Sequence, residues 1–314
     1  MSTSPNKNKK HTFFMKLALK QAMINLGNTA ENPSVGCVIA KNNSLISSGC
    51  TSIKGRPHAE YNAIINSKEK ISNSDLYITL EPCSHYGKTA PCVNKIIKQK
   101  VRRVYFSIND PDIRSFNKSK YKFLKNKINV NIGLYSNKIG EFYKSYILYK
   151  ENKLPFVTCK LAISKDYYTI NNKKKWITNR YSRGRVHLMR SMHDSIITSS
   201  NTVKIDNPRL NCRINGLERR SPTRVLLDHH LKISIKSNVI KNSNKYKTII
   251  FYNKENMKKI KLLKKLGIKT YKIPVNDVDN LNLKEVLFKL SKLGFSRIFL
   301  ECGIKLSHSF LKEN

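Results

Sequence analysis

The chain is 314 residues long, with 39% apolar and 25% charged residues and 15 Tyr, 12 Phe and one Trp. That is the length of about two domains and enough apolar matter for real cores, which excludes bulk disorder. No run approaches the ~18 to 20 consecutive apolar residues of a membrane span, and the N-terminus lacks a signal-peptide apolar stretch, so a soluble, cytoplasmic protein is expected.

The net charge of +40 is the outlying number, and a balance this basic ordinarily points to nucleic acid. Its distribution argues otherwise. Lys supplies 46 of the 60 basic residues and Arg only 14, while residues 1–150 carry +17 and 151–314 carry +23. Nucleic-acid binders concentrate charge on one face and favour Arg for bidentate contacts. Lys and Asn together fill 80 positions, the mark of a coding bias filling solvent-facing sites. The seven cysteines are odd in number and irregularly spaced, which argues against a disulfide framework.

In chain order, residues 1–10 are polar and read as a disordered tail. Phe14, Leu17, Ala18, Met23 and Ile24 then recur at helical spacing up to Gly27. Apolar runs at 35–40 and 45–48 around Lys41-Asn42-Asn43-Ser44 predict a hairpin. A helix at 59–65, a strand at 76–80, a helix with Pro91 at its first position, a strand at 104–108, a helix near 121–127 and a strand at 130–134 follow. After a polar joint at 150–155 come a strand at 156–163, a helix at 180–192, and strands at 195–198, 225–228 and 248–252. A helix at 283–293 and a strand at 297–301 complete the pattern. Two unlike α/β domains are expected, 11–150 and 151–314.

The strongest chemical signal is Pro57-His58-Ala59-Glu60 followed by Glu81-Pro82-Cys83 and, after eight intervening residues, Pro91-Cys92. One imidazole and two thiolates suit Zn2+ and leave the fourth tetrahedral position open, as in catalytic sites. Glu60, two residues beyond His58 and not needed as a ligand, is placed to move a proton. H-x-E followed by P-C…C is the signature of zinc-dependent nucleobase-type deaminases. The competing interpretation is a structural zinc knuckle. Simple deaminases have Cys-x-x-Cys; here the long loop adds His85, Tyr86, Lys88 and Thr89, which suit a phosphate-bearing substrate or form a plain solvated loop.

Asn32-Pro33-x-Val35-Gly36-Cys37-Val38-Ile39, Pro57-His58-Ala59-Glu60 and Leu80-Glu81-Pro82-Cys83-Ser84-His85-x-Gly87-Lys88-Thr89-x-Pro91-Cys92 together resemble the bifunctional riboflavin-biosynthesis deaminase/reductase family. The resemblance implies a cytidine-deaminase-like α/β/α domain followed by a dihydrofolate-reductase-like α/β domain. It also implies Zn2+ on His58, Cys83 and Cys92, Glu60 as the catalytic proton carrier, and Asn32 in contact with the pyrimidine, while His85 and Lys88 remain substrate candidates from the loop alone. Ser34 stands where the family usually has Asn.

Without the family the second half is nearly silent: it has no Gly-x-Gly-x-x-Gly and no second metal cluster. By resemblance, Ala162, Trp176, Thr202, Asp206 and the stretch from Gly303 would contact NADPH. Lys174, Arg190, Leu210, Arg213 and Glu301 would contact the phosphoribosyl-pyrimidine. Taken alone, Arg190 reads as part of a solvated charged helix face and Trp176 as a core anchor. Three departures stand out. Tyr167 follows Asp166 where the family has Gly, Cys302-Gly303-Ile304 replaces a Gly-rich run with Pro, and the chain stops at Asn314, so the second domain is expected to be C-terminally incomplete.

The expectation is therefore hydrolytic deamination of a 2,5-diamino-6-(5-phosphoribosylamino)pyrimidin-4-one, then reduction of its ribosyl group by NADPH, in a homo-oligomer that binds neither membrane nor nucleic acid. The rivals are a deaminase with an inactive reductase half, a tRNA or nucleobase deaminase, and a non-enzymatic zinc-stabilised nucleic-acid-binding protein.

Overall fold

The computed structural model describes residues 5–169 and 177–313, apart from the side chains of 5–7, and divides into two compact units at Asn152/Lys153. In the first unit α1 (Pro5–Ile24) precedes β1 (Gly36–Lys41) and β2 (Ser44–Cys50). The helix already runs through residues 5–10, where a disordered tail was expected; Pro is well suited to open a helix, since its missing N–H is not needed there. The hairpin turns at Asn42 and Asn43, both with positive φ (48° and 69°), a conformation Asn tolerates and two-residue hairpins require.

Then follow α2 (Ala59–Ile65), β3 (Asp75–Leu80), α3 (Cys92–Lys98), β4 (Arg103–Ile108), α4 (Lys118–Lys125), β5 (Asn129–Ile132) and α5 (Ser136–Asn152). The sheet order is β2-β1-β3-β4-β5, with β1 antiparallel to both neighbours and β3, β4 and β5 parallel. Every residue of β3 is buried, as a central strand covered on both faces must be. Gly36 lies so close to α1 that a Cβ would collide with the Ala18 carbonyl. Helix α5 was not anticipated, although Ile139, Tyr143 and Tyr146 fall on one face; Tyr143 Oη meets Thr79 Oγ1 at 2.6 Å and donates to the Ser34 carbonyl at 3.0 Å.

The second unit runs β6 (Phe156–Lys160), α6 (Arg180–Ser191), β7 (Ser195–Ser199), α7 (Ser200–Asp206), β8 (Thr223–Leu227), α8 (Asn238–Lys241), β9 (Thr248–Tyr252), α9 (Met257–Lys265), β10 (Lys269–Lys272), α10 (Leu283–Lys292), β11 (Arg297–Glu301) and α11 (Ile304–Lys312). Strand β6 ends at Lys160, three residues short of the expected 163, where its pairing with β11 stops. All six strands are parallel, in the order β10-β9-β8-β7-β11-β6. Alternate strand residues enter two separate cores: Ile196, Leu226, Ile250 and Phe299 in one, Ile197, Val225, Ile249 and Ile298 in the other. The last strand of the chain thus inserts between the first two. A ligand crevice is expected at this switch point, beyond the carboxyl ends of β6, β11 and β7.

Candidate active sites

In the first unit two helix starts converge. His58 is the N-cap of α2 and Glu60 lies in its first turn; Cys92 is the first residue of α3, with Pro91 at the N-cap rather than inside the helix. His58 Nδ1 lies 3.4 Å from Cys92 Sγ and 3.6 Å from Cys83 Sγ. Bond lengths of ~2.0 Å to nitrogen and ~2.3 Å to sulfur at a tetrahedral metal predict an N···S edge of about 3.5 Å. The three ligand atoms, all within 4.8 Å of one another, therefore fit a zinc ion. The Cys92 side chain and backbone N–H both hydrogen-bond Cys83, and with His58 they hold the Cys83 thiol down to about 4. The Cys83 contact in turn raises His58.

Glu60 is 4% exposed, and burial first, then the Cys83 charge, push its carboxyl above the usual range. A carboxyl so placed accepts a proton readily, as a group shuttling protons near neutrality must.

The loop between the two cysteines lies beside Arg56. Arg56 Nη1 donates to Thr89 Oγ1 at 2.7 Å, and its Nη2 is 3.5 Å from where a Gly87 Cβ would stand. His85 Nδ1 meets Ser115 Oγ at 3.0 Å, Lys122 Nζ donates to the Ser84 carbonyl at 2.6 Å, and Lys88 is exposed. Asn32 is anchored through its carbonyl by Thr29 Oγ1 at 2.7 Å, and its side chain packs on Gly55, whose φ of +85° and lack of Cβ that contact requires. Sequence reasoning missed Arg56, although it stands next to the Pro57-His58 motif, and missed Lys122, which no motif flags.

In the second unit Glu301, at the carboxyl end of β11, takes a bidentate pair from Arg190: Nε to Oε2 at 2.9 Å and Nη2 to Oε1 at 2.7 Å. Arg190 Nη1 also donates to the Asn211 carbonyl at 3.0 Å, and Lys160 Nζ, at the end of β6, stands 4.0 Å from Glu301. Burial alone would raise Glu301, but Arg190, with Lys160 and His187 behind it, holds its carboxyl below the usual range. Arg190 is 7% exposed, which rules out the solvated-face interpretation.

Arg213 joins the group by donating to Asn211 Oδ1 at 3.2 Å, and Leu210 is buried in a left-handed conformation (φ 53°) that turns the loop here. Thr202 lies in the first turn of α7, Gly303 caps α11, and Ala162 follows β6, all at the carboxyl edge of the sheet. Asp206 ends α7, is exposed, and among the described residues shares no hydrogen bond or ion pair with this group. Lys174 and Trp176 lie outside the described residues. Asn211, which joins Arg190 to Arg213, carried no sequence signal of its own.

Residues 8–108 match the cytidine and deoxycytidylate deaminase zinc-binding region, and residues 155–314 match the RibD C-terminal domain. The riboflavin biosynthesis protein RibD of Aquifex aeolicus is 34% identical over 302 residues, covering 96% of this chain and 83% of the relative. The Escherichia coli RibD is 29% identical, with the same two coverages. Among solved structures, a diaminohydroxyphosphoribosylaminopyrimidine deaminase/5-amino-6-(5-phosphoribosylamino)uracil reductase from Thermotoga maritima superposes with a TM-score of 0.84 at 29% identity, covering 98% of this chain and 85% of that one. Acinetobacter baumannii RibD superposes with a TM-score of 0.83 at 28% identity, covering 98% and 84%.

Proposed function

The chain belongs to the RibD family of riboflavin biosynthesis and is a bifunctional deaminase/reductase, and on that premise we propose how its own residues divide the work. The observation that carries the proposal is the convergence of His58, Cys83 and Cys92 beside the buried carboxyl of Glu60. A zinc ion held by those three ligands supplies water activation at neutral pH. Glu60 takes the proton of the attacking water on its carboxylate and delivers it to the exocyclic amino nitrogen, so that a C–O bond replaces C–N and ammonia leaves. Asn32, fixed from behind by Thr29 and Gly55, presents its amide to the pyrimidine edge. Arg56 and Lys88 form the cationic rim for the ribosyl phosphate, with His85, which burial and Arg114 hold below the usual histidine range, as a neutral neighbour; Arg56 is already aimed at that loop through Thr89.

In the second unit NADPH supplies a hydride, and the protein's task is to seat it against the ribosyl carbon. Ala162, Thr202 and the N–H groups behind Gly303 border the cofactor, the last offering a helix N-terminus to a phosphate. Arg190, Arg213 and the Leu210 backbone grip the second substrate, with Glu301 fixing the Arg190 fork. Trp176, Lys174 and Asp206 complete the assignment from the family motif.

The seven free cysteines suit a reducing compartment, and we place the protein in the cytoplasm as a homo-oligomer acting on small phosphoribosyl pyrimidines. Among the described residues no helix is long and apolar enough to cross a membrane. The test uses the full chain. Cys83→Ala is expected to lose zinc and ammonia release while still oxidising NADPH when given deaminated substrate. Ammonia release that survives the loss of zinc would overturn the deaminase assignment, and absence of NADPH oxidation in the unaltered protein would reduce it to deamination alone.

A further inference from the structure

Arg224, near the amino end of β8, is the largest fully buried side chain among the described residues, and its hydrogen bonds go to neutral oxygens. Nε and Nη2 donate to Thr248 Oγ1 (3.1 and 2.7 Å), and Nη2 also reaches the carbonyls of Tyr246 (2.9 Å) and Asn242 (3.2 Å). Nη1 reaches the Arg209 carbonyl at 3.5 Å, the limit of a hydrogen bond. A guanidinium withdrawn from water without a carboxylate is costly, and burial here lowers Arg224 to about 10. Stable proteins pair such a charge.

The same guanidinium borders a cavity of about 230 Å3, also lined by Arg209, Asn211, Asn242, Lys245 and Tyr246. No acidic residue lines it, so three cations face one space with two amides and a phenol. Arg209 and Lys245 are exposed and form the rim above the buried Arg224. This cavity differs from the Arg190–Glu301 cluster, where the charges are already matched. Asn211 joins the two: its Nδ2 donates to Tyr246 Oη at 3.0 Å, while its Oδ1 accepts from Arg213.

We infer that this cavity is a second anion site, separate from the substrate crevice, which takes a phosphate group held between Arg209, Arg224 and Lys245. The chemistry is the under-used Nη1 edge of one guanidinium, whose Nε and Nη2 are already taken by protein oxygens, with the two rim cations as further donors around a compact multivalent anion. The volume lies below the ~300–1,000 Å3 of pockets for drug-sized ligands, which favours free phosphate or the phosphate end of a small ester. Occupancy would also steady Asn211 and, through it, Arg213.

The experiment titrates inorganic phosphate, and separately glycerol 3-phosphate, into the full chain at constant ionic strength. It follows the backbone amide resonances of Arg224, Lys245 and Tyr246. Both ligands or either one alone should produce saturable shifts, and the tighter of the two identifies the source as ester or free ion. The Arg209→Glu/Lys245→Glu variant, altered only at the exposed rim, should weaken that binding about ten-fold or more, as expected for losing charge-assisted contacts, with its melting temperature unchanged. Shifts that fail to saturate, that chloride reproduces equally, or that survive the double charge reversal would overturn the site. The readout is binding at these residues and does not depend on either catalytic activity.

Discussion

The zinc-ligand cluster and the Arg190–Glu301 crevice both hold charge inside protein, by opposite routes. The first is assembled from a short stretch of chain: His58 and Glu60 at the start of α2, Cys83 just after β3, and Cys92 at the start of α3, 34 positions beyond His58. The second is drawn from α6, the loop carrying Asn211 and Arg213, and the ends of β6 and β11, with Arg190 and Glu301 111 positions apart and Lys160 farther still from Glu301. The local site carries its chemistry in sequence spacing. The dispersed one carries it in topology: β11 reaches the substrate edge only because it inserts between β6 and β7.

The sharpest way to break this comparison is at Glu60. Glu60→Gln keeps shape and burial but removes the proton acceptor. Deamination is expected to fall by about 10²–10⁴-fold with zinc still bound, as measured by ammonia release alongside metal content. Reduction of deaminated substrate should be unchanged. A variant that still deaminates would assign the proton transfer to another group.

Next in size is Arg190→Met, which strands Glu301 in a buried position. Breaking a buried pair in this way costs about 3–5 kcal/mol, so urea unfolding followed by far-ultraviolet circular dichroism should shift markedly, with NADPH oxidation lost and ammonia release kept. Adding Glu301→Gln should return much of the stability but not the reductase activity. Recovery of neither would mean that the pair is not what holds the crevice together. A smaller effect is expected from Arg56→Ala: a rise of about ten-fold in the deaminase KM with kcat little altered, the mark of lost uniform binding to a phosphate. A fall in kcat instead would make Arg56 an electrostatic partner of His58, which it also faces.

How much was legible follows the same division. His58, Glu60, Cys83 and Cys92 could be read directly, because metal ligation needs particular residue types at particular spacing. The strand positions of both sheets were mostly visible as apolar runs. Helix α5 was missed because its apolar stripe lies among Lys, Glu and Ser, and α9 because lysines dominate it. Arg190 was ambiguous for a physical reason: a helix rich in Arg looks the same whether one guanidinium turns inward or all face water, and only Glu301, 111 residues later, decides it. The +40 charge is spread evenly along the sequence, and the cations of the second site are a few arginines with named partners.

The smallest predicted effect tests whether burial in the second unit is balanced rather than merely tolerated. His193, buried, and Asp194, partly buried, are adjacent and perturbed in opposite directions. Burial, with Arg297 nearby, lowers His193 to about 4. Burial raises Asp194 to about 6 even though its Oδ2 accepts from the N–H groups of Ser296 and Arg297 at 2.7 and 3.0 Å. Its Oδ1 has no partner in the structure, a place where a proton would be at ease. A base with a depressed folded pKa contributes stability that is present above its unfolded value near 6.5 and lost as pH falls towards 4. An acid with a raised folded pKa contributes stability that is present below about 4 and lost as pH rises towards 6. Between about pH 4 and 6 the two slopes oppose each other, so these neighbours together leave the unit's stability nearly level. Asp194→Asn keeps an oxygen acceptor for the two N–H groups and removes the titration, leaving His193 uncompensated. Urea midpoints of this variant, followed by far-ultraviolet circular dichroism, should therefore decline as pH is lowered from 6.5 to 4, more steeply than those of the unaltered chain. Parallel profiles for the two proteins would show that the Asp194 proton is not coupled to folding.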